Sequence, residues 1–167
     1  QITDEKGALH RDPLFSPDGG QIVFAYKPDR ADREVFDDLY VIDADGSNSR
    51  RLTTYPPEDK SSKWHNYHAG PPRWAPGRDF ITYQSVQNGK SSLYAVTPDG
   101  KKQWKLTDNE LNEGWHAWSP DGKWLAIEMF DDERTEFGIY LMNFDTKEIR
   151  KLTDPKDFKF QQAPVFV

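Results

Sequence analysis

Three of the four histidines stand shortly before large aromatic residues that belong to a repeated phrase. The pairs, separated by five, six and two residues, are His10 with Phe15, His68 with Trp74, and His116 with Trp118. Imidazole is a common ligand of divalent metals and also hydrogen-bonds to carboxylates. If these aromatic residues occupy equivalent positions in successive copies, the three imidazoles converge. We then expect a site that binds a metal ion or orients a sugar carboxylate. The alternative is that each histidine forms local hydrogen bonds in a connecting loop.

Two further segments carry side chains suited to ligand contact. The unrepeated stretch KWHNYH at 63–68 contains one Trp and one Tyr, which are favoured in binding surfaces. The segment NELNEGWHAW at 109–118 combines carboxylates and His116 with two Trp. Gln161 and Gln162 stand where a fourth copy of the phrase would begin. The predicted ligand-binding residues are His10, Trp64, His65, Tyr67, His68, Glu113, Trp115, His116, Gln161 and Gln162.

The sequence lacks the groups on which several enzyme classes depend. It has no cysteine, no Gly-x-Ser-x-Gly nucleophile motif and no phosphate-binding glycine loop. The formal net charge of −6 argues against a nucleic-acid partner, and no apolar run approaches the roughly 18 residues of a membrane span. We therefore name no catalytic residue and favour a non-enzymatic protein, while enzymatic activity stays open.

The candidate residues lie within a phrase that occurs three times. It starts with an aromatic residue and a proline turn, continues with a tyrosine-bearing apolar strand, and ends in Leu-Thr. The turns are at 15–19, 74–77 and 118–122, the tyrosine strands at 38–43, 92–97 and 138–143, and the Leu-Thr pairs at 52–53, 106–107 and 152–153. Proline presets the turn and Asp-Gly completes a hairpin, so each copy predicts four antiparallel strands. The second copy lacks the Asp-Gly pair, which predicts an irregular first hairpin.

Four-stranded repeats with one aromatic anchor each are typical of β-propeller blades. We predict an all-β protein with three blades at about 13–53, 72–107 and 116–153, and with terminal strands 1–3 and 163–167 that belong to neighbouring blades. Propellers typically need four to eight blades, and an open arc exposes an apolar sheet face at each end. We therefore expect either part of a six- or seven-bladed ring, which the strand at 163–167 favours, or self-association that completes the ring.

The proline turns, together with LYVIDADGSNSRRLT at 39–53 and IYLMNFDTKEIRKLT at 139–153, resemble the TolB-like β-propeller family. The resemblance covers essentially the whole chain. It implies a bacterial, often exported propeller with a role in protein–protein interaction, as in the periplasmic Tol–Pal system. Similar repeats form the gating propeller of prolyl-oligopeptidase-like peptidases and the body of oligogalacturonate lyases, which place a metal on His and Gln. A fold shared this widely does not select a function.

From these observations we predict a non-enzymatic propeller module of the bacterial cell envelope that binds a protein or peptide and needs no cofactor. One alternative is a carbohydrate-active enzyme of the oligogalacturonate-lyase type, with a divalent metal such as Mn or Ca bound by His10, His68 and His116 at the channel mouth. The other is the gating propeller of a peptidase. The resemblance implies a periplasmic or otherwise exported location, although no signal peptide is visible after Gln1.

Overall fold

The computed structural model describes residues 3–32, 36–55, 59, 69–154, 156 and 161–166. These residues form twelve β-strands and no helix, so none of them provides a helix that could cross a membrane. The strands are β1 Leu9–Phe15, β2 Gln21–Lys27, β3 Asp38–Asp43, β4 Arg50–Arg51, β5 Arg73–Trp74, β6 Ile81–Gln87, β7 Lys90–Val96, β8 Gln103–Lys105, β9 Asn112–Trp118, β10 Trp124–Phe130, β11 Phe137–Asn143 and β12 Ile149–Lys151.

The strands pair into three four-stranded antiparallel sheets, each in sequential order. Blade one is β1–β4, blade two is β5–β8 and blade three is β9–β12. The predicted all-β fold of three four-stranded blades is confirmed. The first strands of blades one and three begin at Leu9 and Asn112, several residues before the predicted blade starts.

The Ser-Pro-Asp-Gly phrase forms the same turn in blades one and three. Ser16 Oγ accepts the backbone N–H of Gln21 at 2.9 Å and donates to the Asp18 carboxylate at 2.5 Å. Ser119 donates to Asp121 in the same way at 2.6 Å. These hydroxyls lower the pKa of both aspartates, so the turn is held by a charge-assisted hydrogen bond at neutral pH.

The expectation of an irregular first hairpin in blade two is wrong. Ala75 N donates to Phe80 O at 3.1 Å, which closes the turn as in the other blades. Gly77 has a φ of +68° directly after Pro76. A proline followed by a residue with positive φ is the signature of a type II turn, so Pro-Gly replaces Asp-Gly without loss of the hairpin.

The Leu-Thr phrase ties the outer end of each blade to its third strand. A threonine hydroxyl accepts the backbone N–H of the residue that precedes the strand tyrosine. The three pairs are Thr53 with Leu39, Thr107 with Leu93 and Thr153 with Ile139, at 3.0, 3.1 and 2.9 Å. The repeated phrase therefore has a structural role that does not depend on a ligand.

Alternate residues of the second strands face opposite neighbours, as strand geometry requires. Val23 and Ala25 face blade two and form a core with Ile81 and Tyr83. Leu125, Ile127 and Met129 pack with Leu93 and Ala75 in a second core between blades two and three.

The aromatic anchors show the consequence of this stacking. Trp118 is 8% exposed because blade two covers it, and its indole donates to Thr82 at 3.0 Å. Trp74 donates to the carbonyl of Leu14 in blade one at 3.3 Å. Phe15 is 59% exposed, since the described residues place no blade against its face.

Candidate functional site

The hub, meaning the surface formed by the first strands β1, β5 and β9, is shaped by two β-bulges. The register shifts between Arg11 and Leu14 on β1, and Asp12 in this bulge has a φ of +52°. A second bulge lies where β9 pairs with β10, and it contains Trp115. Bulges re-aim side chains away from the regular alternation. Trp115 is 41% exposed, so this bulge presents a large indole to solvent.

His116, predicted as a ligand, is buried between blades two and three. Its Nε2 lies 2.8 Å from the hydroxyl of Thr82, which also accepts the indole N–H of Trp118. Burial lowers the pKa of His116 to about 3, with a further contribution from the nearby Arg73. The imidazole is therefore uncharged at neutral pH and serves as an inter-blade contact.

Glu113, also predicted as a ligand-binding residue, is fully buried and joins the same two blades. Its carboxylate accepts the backbone N–H of Leu93 at 2.9 Å, the Thr107 hydroxyl and the Asn109 side-chain amide. Burial raises its pKa, while these donors oppose the shift. The carboxylate provides a buried acceptor for the Thr107 hydroxyl and the Asn109 amide, and it shares the Leu93 N–H with the Thr107 hydroxyl.

His10 lies on the opposite side of the arc from this interface. Its ring contacts Phe24 and Tyr26, with centroid distances of 5.5 and 5.1 Å. It lines a small apolar pocket on the open face of blade one, together with Ile22 and Ile42. The structure thus assigns His10 to an aromatic cluster.

The two glutamines are in a segment that runs against blade three. Gln161 Nε2 donates to the carbonyl of Asp154 at 3.1 Å, whereas Gln162 is exposed. The backbone N–H of Ala163 donates to the buried carboxylate of Glu128 at 3.2 Å. Segment 161–166 therefore docks on the face of blade three that a following blade would cover.

The remaining predicted residues, Trp64, His65, Tyr67 and His68, lie outside the described residues. In the described part of the chain, no group of three His, Cys, Asp or Glu side chains is arranged to hold a metal ion. His10 contacts Phe24 and Tyr26 on blade one, whereas His116 contacts Thr82 between blades two and three. The metal site stays a prediction that depends on His68.

Arg73 is a hub residue that sequence reasoning missed. It is half-buried on β5, and its Nη1 donates to the carbonyl of Pro72 at 2.8 Å. Burial lowers its pKa, while the neighbouring Asp12 opposes this shift. The sequence could have indicated Arg73, because it directly precedes the anchor Trp74 and the residue at that position lies in the first strand of each blade.

No family model matches the chain. An uncharacterised protein of Agrobacterium fabrum is 24% identical over 146 residues, covering 87% of this chain and 44% of the relative. The Tol-Pal system protein TolB of Francisella tularensis is 27% identical over 82 residues, covering 49% of this chain and 19% of the relative. The chain thus spans less than half the length of these relatives.

Solved structures of three kinds share the fold. TolB from Acinetobacter baumannii superposes with a TM-score of 0.68 at 20% identity, covering 91% of this chain and 34% of that protein. An oligogalacturonate lyase in complex with manganese gives 0.62 at 17%, covering 92% and 43%. A prolyl endopeptidase gives 0.62 at 20%, covering 90% and 23%. The three stacked blades, their repeated turns and these likenesses together show that the chain has the fold of the TolB-like β-propellers.

Proposed function

We propose that this chain is a non-enzymatic, TolB-like propeller module that binds a protein or peptide at its hub, in the periplasm or another exported location of a bacterium. The observation that carries the proposal is Trp115, a half-exposed indole on the bulge of β9. Trp is the residue type most enriched at the energetic centres of protein interfaces. A binding aromatic held on a rigid strand also loses little conformational entropy when a partner arrives.

The two buried polar residues beside Trp115 support a binding role over catalysis. Glu113 and His116 are engaged by blade two through Leu93, Thr107 and Thr82. A general base or metal ligand must reach its substrate or ion, and these groups would have to leave their partners to do so. The fixed pair instead holds β9 in register, so that Trp115 keeps one orientation.

Some relatives of this chain are named Tol-Pal system protein TolB, and this name supports the exported location. The lyase and peptidase likenesses rest on fold alone at 17% and 20% identity. The lyase alternative predicts bound metal and an ultraviolet signal from unsaturated uronate. Elemental analysis for bound metal, and an ultraviolet assay for unsaturated uronate in the presence of Mn²⁺, would therefore detect lyase activity.

Site-specific photo-crosslinking tests the proposal. A photoreactive phenylalanine replaces Trp115 in one variant and Ile149, a half-exposed residue of β12, in the matched control. After expression in a bacterial host with an export signal, we expect a discrete protein adduct at position 115 and none at 149. Equal labelling at both positions, or no adduct at 115, would contradict a hub-binding role.

A further inference from the structure

We propose that Glu128 is a positioning residue for the hub site: its carboxylate joins the bulge that carries Trp115 to segment 161–166, and a partner binds at Trp115 only while this segment is docked. This inference rests on the proposed function and specifies how the binding residue is held. It is carried by three observations, namely the place of Glu128 opposite the bulge, its contact with Gly114 and its hydrogen bond to Ala163.

Glu128 lies on β10 directly opposite the bulge of β9. The register shifts between Ile127 and Met129, so two residues of β9, Gly114 and Trp115, oppose the single residue Glu128. A bulge interrupts the regular ladder and bends the strand that contains it. The side chain of Glu128 is therefore in a place to support the bulge where the ladder does not.

Gly114 lets the carboxylate of Glu128 lie against the backbone of the bulge. A Cβ at Gly114 would stand 2.7 Å from Glu128 Oε1, which is closer than a methyl group can approach. Gly114 does not have a positive φ, so its missing side chain is what the contact requires. Glu128 is 3% exposed, and its Oε1 thus lies in a buried place beside the residue that precedes Trp115.

The other carboxylate oxygen of Glu128 holds segment 161–166. Glu128 Oε2 accepts the backbone N–H of Ala163 at 3.2 Å. Ala163 has a φ of +53°, and Asp12 in the bulge of β1, which also precedes a proline, has a φ of +52°. The segment therefore repeats the backbone conformation of a first strand at this point, and one carboxylate contacts two successive first-strand segments of the hub.

Blades one and two differ from blade three at this position. Strand pairing places Ala25 and Gln84 at the positions equivalent to Glu128. In blade two the backbone N–H of Gly70 donates to the carbonyl of Gln84 at 2.7 Å, so the two segments remain hydrogen-bonded there. A neutral side chain thus suffices for packing, whereas a buried carboxylate is costly unless its oxygens have partners. In the described part of the chain, the carboxylate and the exposed indole of Trp115 occur together in blade three.

These contacts support the bulge of Trp115 from both faces of blade three. Blade two engages the neighbouring residues Glu113 and His116, and Glu128 with the docked segment supports the other face. A side chain that is already fixed loses less conformational entropy on binding than a mobile one. We therefore expect release of the segment to loosen the bulge and to weaken binding at Trp115.

Hydrogen exchange of the Ala163 amide, followed by NMR in a double-mutant cycle, tests the coupling. Gly114→Ala places a methyl group against Glu128 Oε1, so we expect it to speed exchange at Ala163 roughly tenfold. Glu128→Ala should speed exchange at least as much, and Gly114→Ala should then add nothing. Glu128→Gln keeps an acceptor oxygen and should retain most of the protection. Additive effects of the two Ala substitutions, or no effect of Gly114→Ala, would overturn the inference.

Thr53→Ala is the control for lost stability, because it removes a buried hydrogen bond in blade one, away from the hub of blade three. It should leave exchange at Ala163 unchanged at a concentration of denaturant where the chain is folded. Faster exchange at Ala163 in Thr53→Ala, equal to that in Glu128→Ala, would assign the effect to general destabilisation and overturn the inference.

The consequence for binding is measured with the photoreactive residue at position 115. We expect the adduct yield to fall roughly fivefold or more in Glu128→Ala, to recover in Glu128→Gln and to stay unchanged in Thr53→Ala. An undiminished adduct in Glu128→Ala would refute the positioning role while the proposed function stands. Absence of the adduct in the chain that carries the photoreactive residue alone would refute the proposed function itself.

Discussion

His116 Nε2 lies 2.8 Å from the hydroxyl of Thr82, which joins the first strand of blade three to the second strand of blade two. Thr82 also accepts the indole of Trp118 and donates to the carbonyl of Arg73. One hydroxyl therefore connects an anchor residue, a buried imidazole and a hub residue. The tests below follow from this interface and from its equivalents elsewhere in the arc.

We expect the chain to lose stability as the pH falls from about 6.5 towards 3, because of His116. Its pKa is lowered from 6.5 to about 3 in the folded state, so the unfolded chain binds the proton first. Linkage then predicts a loss of about 2 kcal/mol at pH 5 relative to pH 8. Urea unfolding at several pH values should show this loss in the unmutated chain and not in His116→Gln.

The matched control is His10→Gln, which changes a half-exposed imidazole outside the interface. Its pH dependence should parallel that of the unmutated chain. If His116→Gln retains the acid sensitivity, the buried imidazole is not its source.

Glu113→Ala is expected to lower the free energy of unfolding by about 3 kcal/mol, because the Thr107 hydroxyl and the Asn109 amide then lose this buried acceptor and the Leu93 N–H keeps only Thr107. Glu113→Gln keeps the shape and one acceptor oxygen, and should cost less. The exposed Glu110→Ala serves as the control and should change little. Chemical denaturation measures all three, and equal effects of the Ala variants at 110 and 113 would argue against the inter-blade role.

Two turn glycines allow a matched test of blade packing. Gly19 and Gly122 have φ values of +74° and +68°, but an added Cβ meets nothing within 4 Å at Gly19 and lies 2.5 Å from the carbonyl oxygen of Pro76 at Gly122. We expect Gly19→Ala to cost about 1 kcal/mol and Gly122→Ala about 3 kcal/mol, since only the latter pushes blade three from blade two. Thermal or urea unfolding measures both variants, and similar losses of stability in Gly19→Ala and Gly122→Ala would contradict the described packing of blade three on blade two.

Self-association of the 167-residue chain is expected through its open end faces. Leu52 is 3% exposed because blade two covers it, whereas its equivalent Leu152 on blade three is 47% exposed. Sedimentation velocity should detect oligomers that Leu152→Asp reduces, while Leu52→Asp should unfold the chain by placing a charge in a core. A monomer at high micromolar concentration, or oligomers unaffected by Leu152→Asp, would contradict this expectation.

Much of the architecture could be predicted from local chemistry. Pro17 and Pro120 preset their turns, and Thr53 and Thr107 accept a backbone N–H a fixed distance away in the same blade. Such interactions join residues close in sequence, so their pattern repeats with the blade. The turn at Gly77 was predicted wrongly, because a type II turn formed by Pro76 and Gly77 closes a hairpin that Asp-Gly turns close in the other two blades.

The sequence by itself determined three blades, their order and the Ser-Pro-Asp-Gly turns of blades one and three, since each depends on residues within one repeat. Only the tertiary structure decided that Glu113 and His116 face a neighbouring blade, that Trp115 faces solvent, and that Arg73 belongs to the hub. These outcomes depend on bulges and on contacts between strands of different blades. Neither leaves a period in the sequence, because the direction of a side chain at a bulge is set by the register of a partner strand many residues away.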